Sequence, residues 1–571
     1  MKKVFTFIGL MLASVHSLAV PVTLGNDANC TYNIANTSIQ DLVNAFAGEI
    51  RVTKQVEIVE NIQIDRSILI QGGYENCNDA QLGIKNGVTT INGNNQAPVI
   101  SISDGNDLIT VIIDSLKLKN GVGLGSQQGG GISVRETNNN GIKIVLRRSI
   151  VSNNNGNFGG GVFLYGPSVS LSLEESKILS NEAVYNGGGI YCHQGFVRLS
   201  KDSGIILNSA YNSSNSYGLG GGLYAGSGCE VEIRSGTSGS LFNFKGIAGN
   251  SSSNHGGGIY AQGGSVVKLQ SYLIDEFINI TENFADSNFN GSGEGGAAYL
   301  TGAGTKLEVY GGLIKENSAV HGGGISVNNA AELIVGKFNG SCWNQKNCNQ
   351  IVANEATTNG GFGGAIYSIG GNIDISYTDI SDNRADNGVV LYADFGADIK
   401  VRASMVHDNG AGNADGWEDI YNFSIHNSDF IMNHVTSAYN DVIGSSLRID
   451  GGSYTLENSI IYDPDPGVTA SMTGVTGIEN CLVVNSSDGL NQFTQSLVAF
   501  PNFIDVVNRD YHVRGHSEAA DLCPSTVNSL DQDFEGQNIW DDPSQVNIFG
   551  FRDAGADETY LSDTIFASGF D

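Results

Sequence analysis

Proline is scarce in this chain of 571 residues: eight occur, alongside three tryptophans and five methionines. Basic residues are also few. Lys and Arg number 29 against 59 Asp and Glu, a formal charge of −30. Such a field repels nucleic acids and anionic membranes, and it disfavours polyanionic glycans unless cations bridge them. Beyond the N-terminal segment no run approaches the roughly 18 apolar residues of a membrane span, so the mature chain is expected to be soluble. Helical periodicity is missing from the central units, which argues against helical solenoids. There is no Cys-x-x-Cys pair and no His/Cys cluster of the kind that holds zinc.

What the chain has instead is glycine, 77 residues of it, with 40% hydrophobic content. High Gly and Asn with little Pro suits many strands joined by tight turns that need positive φ. The hydrophobic content is too high for a disordered chain. At the start, Lys2 and Lys3 precede the apolar run Val4 to Val15, and Ser17 and Ala19 occupy small-residue cleavage positions. This predicts a secretory signal peptide over residues 1–19 and export by the Sec pathway. Eight cysteines follow, an even number that suits an oxidising compartment. Their spacing suggests Cys30–Cys77 and Cys481–Cys523 at the two ends, Cys192–Cys229 between neighbouring repeats, and Cys342–Cys348 closing a loop.

The repeat decides the fold. A glycine cluster followed by an apolar residue recurs as Gly129–Ile132, Gly159–Val162, Gly187–Ile190, Gly220–Leu223, Gly256–Ile259, Gly295–Ala298, Gly322–Ile325 and Gly363–Ile366, with Gly388–Leu391 as a degenerate copy. Successive copies lie 25 to 41 residues apart. An aliphatic residue three before an Asn precedes many of them: Ile150/Asn153, Ile178/Asn181, Ile314/Asn317, Ile351/Asn354 and Ile380/Asn383. Each unit reads as three short strands, for example Val162–Tyr165, Ser168–Leu173 and Lys177–Ser180. This predicts an all-β protein, a right-handed parallel β-helix solenoid.

Alignment on the glycine clusters places apolar residues such as Ile132 and Val134, or Val162 and Leu164, two apart. By the two-residue period of a strand they point inward. The residue between them points outward: Tyr191, Tyr224, Tyr260, Tyr299, Tyr367 and Tyr392 in six units. The prediction is an external tyrosine ladder. It could stack on sugar rings, or merely on itself, since Tyr favours strands and packs on its neighbours.

A solenoid needs its ends covered. Thr37 to Phe46 reads as a short N-capped amphipathic helix in an N-terminal cap over 20–49. The β-helix is expected over 50–500, an irregular C-terminal capping module over 501–560, and a short tail over 561–571 that is either a sorting tag or a frayed end. The helix-then-strands opening resembles the N-terminal cap of pectate-lyase-like β-helices. The Gly-Gly-(Gly/Ala)-Ile units with their aliphatic-x-x-Asn elements, over about residues 120–395, resemble the repeats of the chlamydial polymorphic membrane protein family. That resemblance implies a β-helical, adhesin-type passenger. Those passengers normally precede an outer-membrane barrel, and the roughly 70 residues after Phe500 are too few for one.

The resemblance to β-helix enzymes implies catalysis on an outer sheet face. The next outward column (Arg135, Tyr165, His193, Gly226, Gln262, Thr301, Asn328, Ile369, Asp394) contains no run of carboxylates. His193 reads as a surface residue. Asp394 with Asp398 is either a carboxylate pair or solvated turn residues. Calcium is the one cofactor the sequence raises: Asp531, Asp533 and Glu535 alternate before Gly536, like the front of a calcium loop, although an Asx turn has the same pattern. The leading expectation is a monomeric, non-enzymatic binding or adhesion protein, secreted or at the outer cell surface, or retained in the periplasm. Its partner would be a glycan or a surface protein. The alternatives are a polysaccharide lyase or glycoside hydrolase, and an architectural component of a surface layer.

Overall fold

The computed structural model describes residues 21–558, apart from 46–47, 106, 124, 126–128, 213–216, 236–245, 272–275, 337–347, 358–359, 411–417, 465–468, 525–531, 536 and 539–546. The predicted signal peptide, Cys342, Asp531 and the tail lie outside the described residues. The chain winds as a parallel β-helix. One turn runs Val162–Tyr165, Val169–Glu174, Lys177–Leu179 and Glu182–Asn186. The next turn then lays Ile190–His193 on Val162–Tyr165 in parallel register, Val162 beside Ile190. A turn thus has four strands rather than the three expected. The strand after the Asn corner is too short and polar to show an apolar period.

Three walls result. One has fourteen parallel strands, from Ile62–Ile64 to Ala470–Thr473, each central one fed by a glycine cluster. A short wall of seven strands runs from Asn155–Phe158 to Glu355–Ala356. The third and largest is bent. Val169–Glu174 and Lys177–Leu179 both belong to it, joined through Glu175 at φ 53°. Beyond residue 398 the two arms merge into single long strands such as Asp429–Ala438, with His434 at φ 53° in the bend. The stretches 424–434 and 446–461 are each broken by a turn between walls.

Inward residues from all turns form one continuous apolar core, in which Ile132, Val162, Ile190, Ile259 and Ile325 are wholly buried. Each such side chain contributes about 1.5–3 kcal/mol by leaving water. The cluster glycines divide the work. The first, as at Gly159 (φ 61°), takes the left-handed conformation, and a Cβ on the second, Gly160, would collide with the Glu182 carbonyl of the next turn. The third position accepts a methyl, at Ala297 and Ala365.

Behind the glycines runs a buried amide ladder. Nδ2 of Asn154 donates to Oδ1 of Asn181 at 2.9 Å, and the pattern repeats through Asn208, Asn250, Asn283, Asn317, Asn354, Asn383, Asn409 and Asn440. Asn440 donates to Asp463 at 3.1 Å. Here the sequence reading needs correction by one residue. Val151, not Ile150, aligns with Ile178, so the rung is Asn154, while Asn153 is exposed at φ 54° and makes the corner.

The N-terminal helix α1 (Ile39–Ala45) buries Ile39, Leu42 and Val43 against the core. Ser38 Oγ accepts from Asp41 N–H, and Asp41 accepts from Ser38 N–H, a reciprocal N-cap. A second helix, α2 (Cys77–Leu82), was not foreseen; Asn76 caps it. At the far end Leu490 and Phe493 pack on the last core layer. Asn491 and Gln492 N–H groups both donate to Glu479 at 2.8 Å. The described residues between 501 and 558 lie along the flank of the final turns instead of across the opening. Phe503, Tyr511, Leu522, Cys523, Phe534 and Ala554 form a second core with Met405, Ala438, Ile460 and Val483 from the outer face of the bent wall.

The disulfides Cys30–Cys77, Cys192–Cys229 and Cys481–Cys523 are formed as the spacing suggested. No helix among the described residues is long and apolar enough to cross a membrane.

Candidate functional site

The outward column of the fourteen-stranded wall is a stack of rings. Phe163, Tyr191, Tyr224, Tyr260 and Tyr299 follow one another at centroid spacings of 5.4, 4.7, 5.3 and 5.1 Å, with planes within 14° of parallel. Ser326 interrupts the stack. Tyr367 and Tyr392 resume it at 5.6 Å, and His426, from the neighbouring outward column, packs on Tyr392 at 5.3 Å. The rings lie outside the apolar core, as the strand period requires.

Their exposure is smaller than expected. Tyr224 and Tyr260 are only 6% accessible. Within the stack ring faces meet the rings of neighbouring turns, Phe158 tilts against Tyr191, and His255 and His321 stack on Tyr299 and Tyr367. Gln262 bonds both the Tyr224 and the Tyr260 hydroxyl. Burial pushes both phenols well above their usual range. At the break, Ser326 and Asn328 donate to Glu294 at 2.9 and 2.8 Å, filling the missing ring position with polar groups. A ligand meets ring edges here, not faces.

A second, shorter row went unseen in the sequence. Phe158, Tyr185 and Tyr217, each within three residues before a glycine cluster, stand 5.0 and 4.8 Å apart on the short-wall side. That recurrence was the available signal.

The foot of the ladder collects the ionisable groups. Asp394, His426 and Asp450 lie on three successive turns of one column. Alignment on glycine clusters ended at Asp394, which hid the other two. Ser424 Oγ lies 3.0 Å from His426 Nε2, and His426 Nδ1 lies 3.4 Å from Asp450. Arg448 pairs with Asp450 at 2.7 Å. Burial, with Arg448 adding to it, holds the His426 imidazole below its usual value; burial opposes the Asp450 charge, yet Thr473 and Arg448 hold that carboxyl low. A hydroxyl, a neutral imidazole and a carboxylate in sequence form a proton relay. Ser424 is fully buried, however, so in this conformation its Oγ does not meet a substrate.

Other sequence candidates are separated. His193 stacks on Tyr165 at 4.8 Å beneath Arg135. Asp398 pairs with Lys400, whereas Asp394 accepts from Phe395 N–H and Asn427. In the concavity beside α1, Glu60 accepts the Ile39 and Gln40 N–H groups, serving the helix rather than a ligand.

The flank module carries the densest carboxylates. His512, Glu535 and Asp557 bring ligand atoms within 4.8 Å of one another. Asp533 spends one oxygen on Gln537 N–H, four residues on, at 2.7 Å. Burial, together with Asp553, holds the Glu558 carboxyl well above its usual value. Nearby, His407 is clasped between Asp379 (3.2 Å) and Asp408 (2.8 Å), with the Tyr511 ring tilted against it 4.9 Å away and its hydroxyl on Asp408. Burial opposes the charge, but the two carboxylates raise the imidazole to about 9. Arg509 adds an ion pair to Asp382 at 2.7 Å.

Winding, core and stapled ends define the class: a parallel β-helix protein whose disulfides are compatible with an oxidising compartment. Compared with protein-family models the chain matches none, and no curated protein matches it in sequence.

Proposed function

We propose that this is an exported binding protein, secreted or held at the cell surface, whose lateral walls recognise a glycan or a surface protein without turning it over. The observation that carries this reading is the fourteen-stranded wall with its aromatic column, a long rigid face on which the Ser424–His426–Asp450 relay is closed to solvent at the serine. The resemblance of the glycine units to chlamydial adhesin passengers supports the adhesive part. Incubation with a panel of polysaccharides should retain the protein and release neither new reducing ends nor unsaturated products. Turnover of any polymer would replace this reading with the hydrolase or lyase alternative, which the Asp394–His426–Asp450 column favours. In that event His426→Ala should abolish the turnover.

Calcium on the carboxylate oxygens of Asp533, Glu535 and Asp557 is the cofactor proposal; His512 stands among them as their cationic partner, paired with Asp510 and 3.6 Å from Glu535. Titration with calcium should raise the melting temperature of the intact protein, and Glu535→Gln should remove that rise. An unchanged melting curve leaves the carboxylates to the hydrogen bonds and ion pairs already described.

A further inference from the structure

The ladder is buried, but the row beside it reaches solvent. Tyr211 is 49% and Tyr217 41% accessible, and Val184, which the strand register sets beside Tyr211, is 39% accessible. Tyr217 continues the row Phe158–Tyr185 along the solenoid axis at near one-turn spacing. Large apolar groups are buried by default, so exposed rings clustered on one ridge call for an occupant.

The surroundings select its chemistry. The short-wall strands Asn155–Phe158, Glu182–Asn186, Ser209–Ala210 and Ser251–Ser252 carry one ionisable carboxylate, Glu182, and otherwise amides, hydroxyls and aromatics. The bent wall is the opposite: its outward face is laced with ion pairs such as Arg198–Glu232, Lys268–Glu308 and Lys306–Glu332. A ridge whose strands carry one carboxylate and no base, on a molecule of charge −30, excludes a polyanion, which the overall field repels, and provides no cationic partner for one. It suits a ligand with apolar ring faces and hydroxyl edges. We infer that the ridge of Phe158, Val184, Tyr185, Tyr211 and Tyr217 is the binding site for a neutral polysaccharide. Sugar rings lie on the tyrosine faces and hydroxyls meet the neighbouring amides and serines. This rests on the glycan-binding reading above and moves its site from the ladder to the ridge.

The test uses the full oxidised chain in affinity electrophoresis through neutral β-glucan, xylan and mannan, a polyuronate, and an albumin gel as control. Wild type should be retarded by at least one neutral polymer. The double variant Tyr211→Ala/Tyr217→Ala should bind that polymer at least tenfold more weakly, with its melting temperature unchanged because both residues are surface-exposed. Tyr211→Phe/Tyr217→Phe keeps the ring faces and should retain most of the retardation, which separates stacking from misfolding. Wild-type binding that the alanine pair leaves intact overturns the ridge while sparing the glycan reading. Retardation by the polyuronate alone overturns the ridge on charge grounds. No retardation by any glycan, or retardation only by albumin, overturns both.

Discussion

Asp463 stands where the amide ladder needs an end. Every rung both donates and accepts, so the last one must be received by a group that only accepts. A carboxylate does this: one oxygen takes Asn440 N–H at 2.8 Å and Nδ2–H at 3.1 Å, and the other takes Ser446 Oγ–H at 2.5 Å and Asn422 at 3.2 Å. The cost is a buried charge, and burial raises the carboxyl despite these four donors. A raised acid destabilises the folded state once pH passes the unfolded value, so at neutrality the charge works against folding. Asp463→Asn should therefore be neutral or stabilising by about 1 kcal/mol, provided Asn422 turns its amide to present the Oδ1 that is now buried without a hydrogen bond. Chemical denaturation at pH 7 checks this. A loss larger than about 1 kcal/mol would show that the donors need a true carboxylate. By contrast, Asn→Ala within the ladder strands a buried donor and acceptor and should cost about 1–3 kcal/mol.

At the scale of elements, the flank module is held by an apolar face, a disulfide and the His407 clasp. The sign of the clasp's pH dependence follows from its raised value. Protonated His407 stabilises the fold fully below the ordinary histidine value near 6.5, and the contribution is lost as pH rises through about 9. The loss amounts to at most ~3 kcal/mol for this buried group. Wild type should thus lose stability relative to His407→Gln between about pH 6 and pH 10, measured as a difference in urea midpoints. Parallel curves for the two proteins would mean that the imidazole is not charged in the folded state.

This docking was not legible beforehand. Tyr511 meets Asp408 across 103 residues and Arg509 meets Asp382 across 127, and no local period carries such pairings. The two long walls were legible because burial on one side imposes a period of two on their strands. The one-residue slip at Asn153 arose because Ile150 and Val151 are both aliphatic, and only the stacked partner Ile178 decides between them. His426 and Asp450 were missed for a related reason. After Leu391 the wall is entered through pairs such as Asn422–Phe423, so the glycine marker that set the alignment is gone. The outward direction of the tyrosines followed from the same period, whereas their cover lay in a different position of the repeat: Phe158, His255 and His321 each stand immediately before the first glycine of a cluster, and that polar or aromatic position has no period of its own.

On the scale of the molecule, a solenoid touches only its neighbouring turns, so its stability is a sum of local terms and its ends are where loss begins. Both ends are bridged, Cys30 to Cys77 and Cys481 to Cys523, and Cys192–Cys229 ties two adjoining turns in between. A surface protein anchored at one side and gripped at the other would be loaded in tension, and its terminal turns would peel first. The bridges enclose 47, 42 and 37 residues, so they withhold roughly 440 Å of extension at ~3.5 Å per residue. Pulled by its termini in an optical trap, the oxidised molecule should stop short of the reduced one by about that length. The cystines thus act as tethers that limit how far a strained molecule can pay out before it lets go.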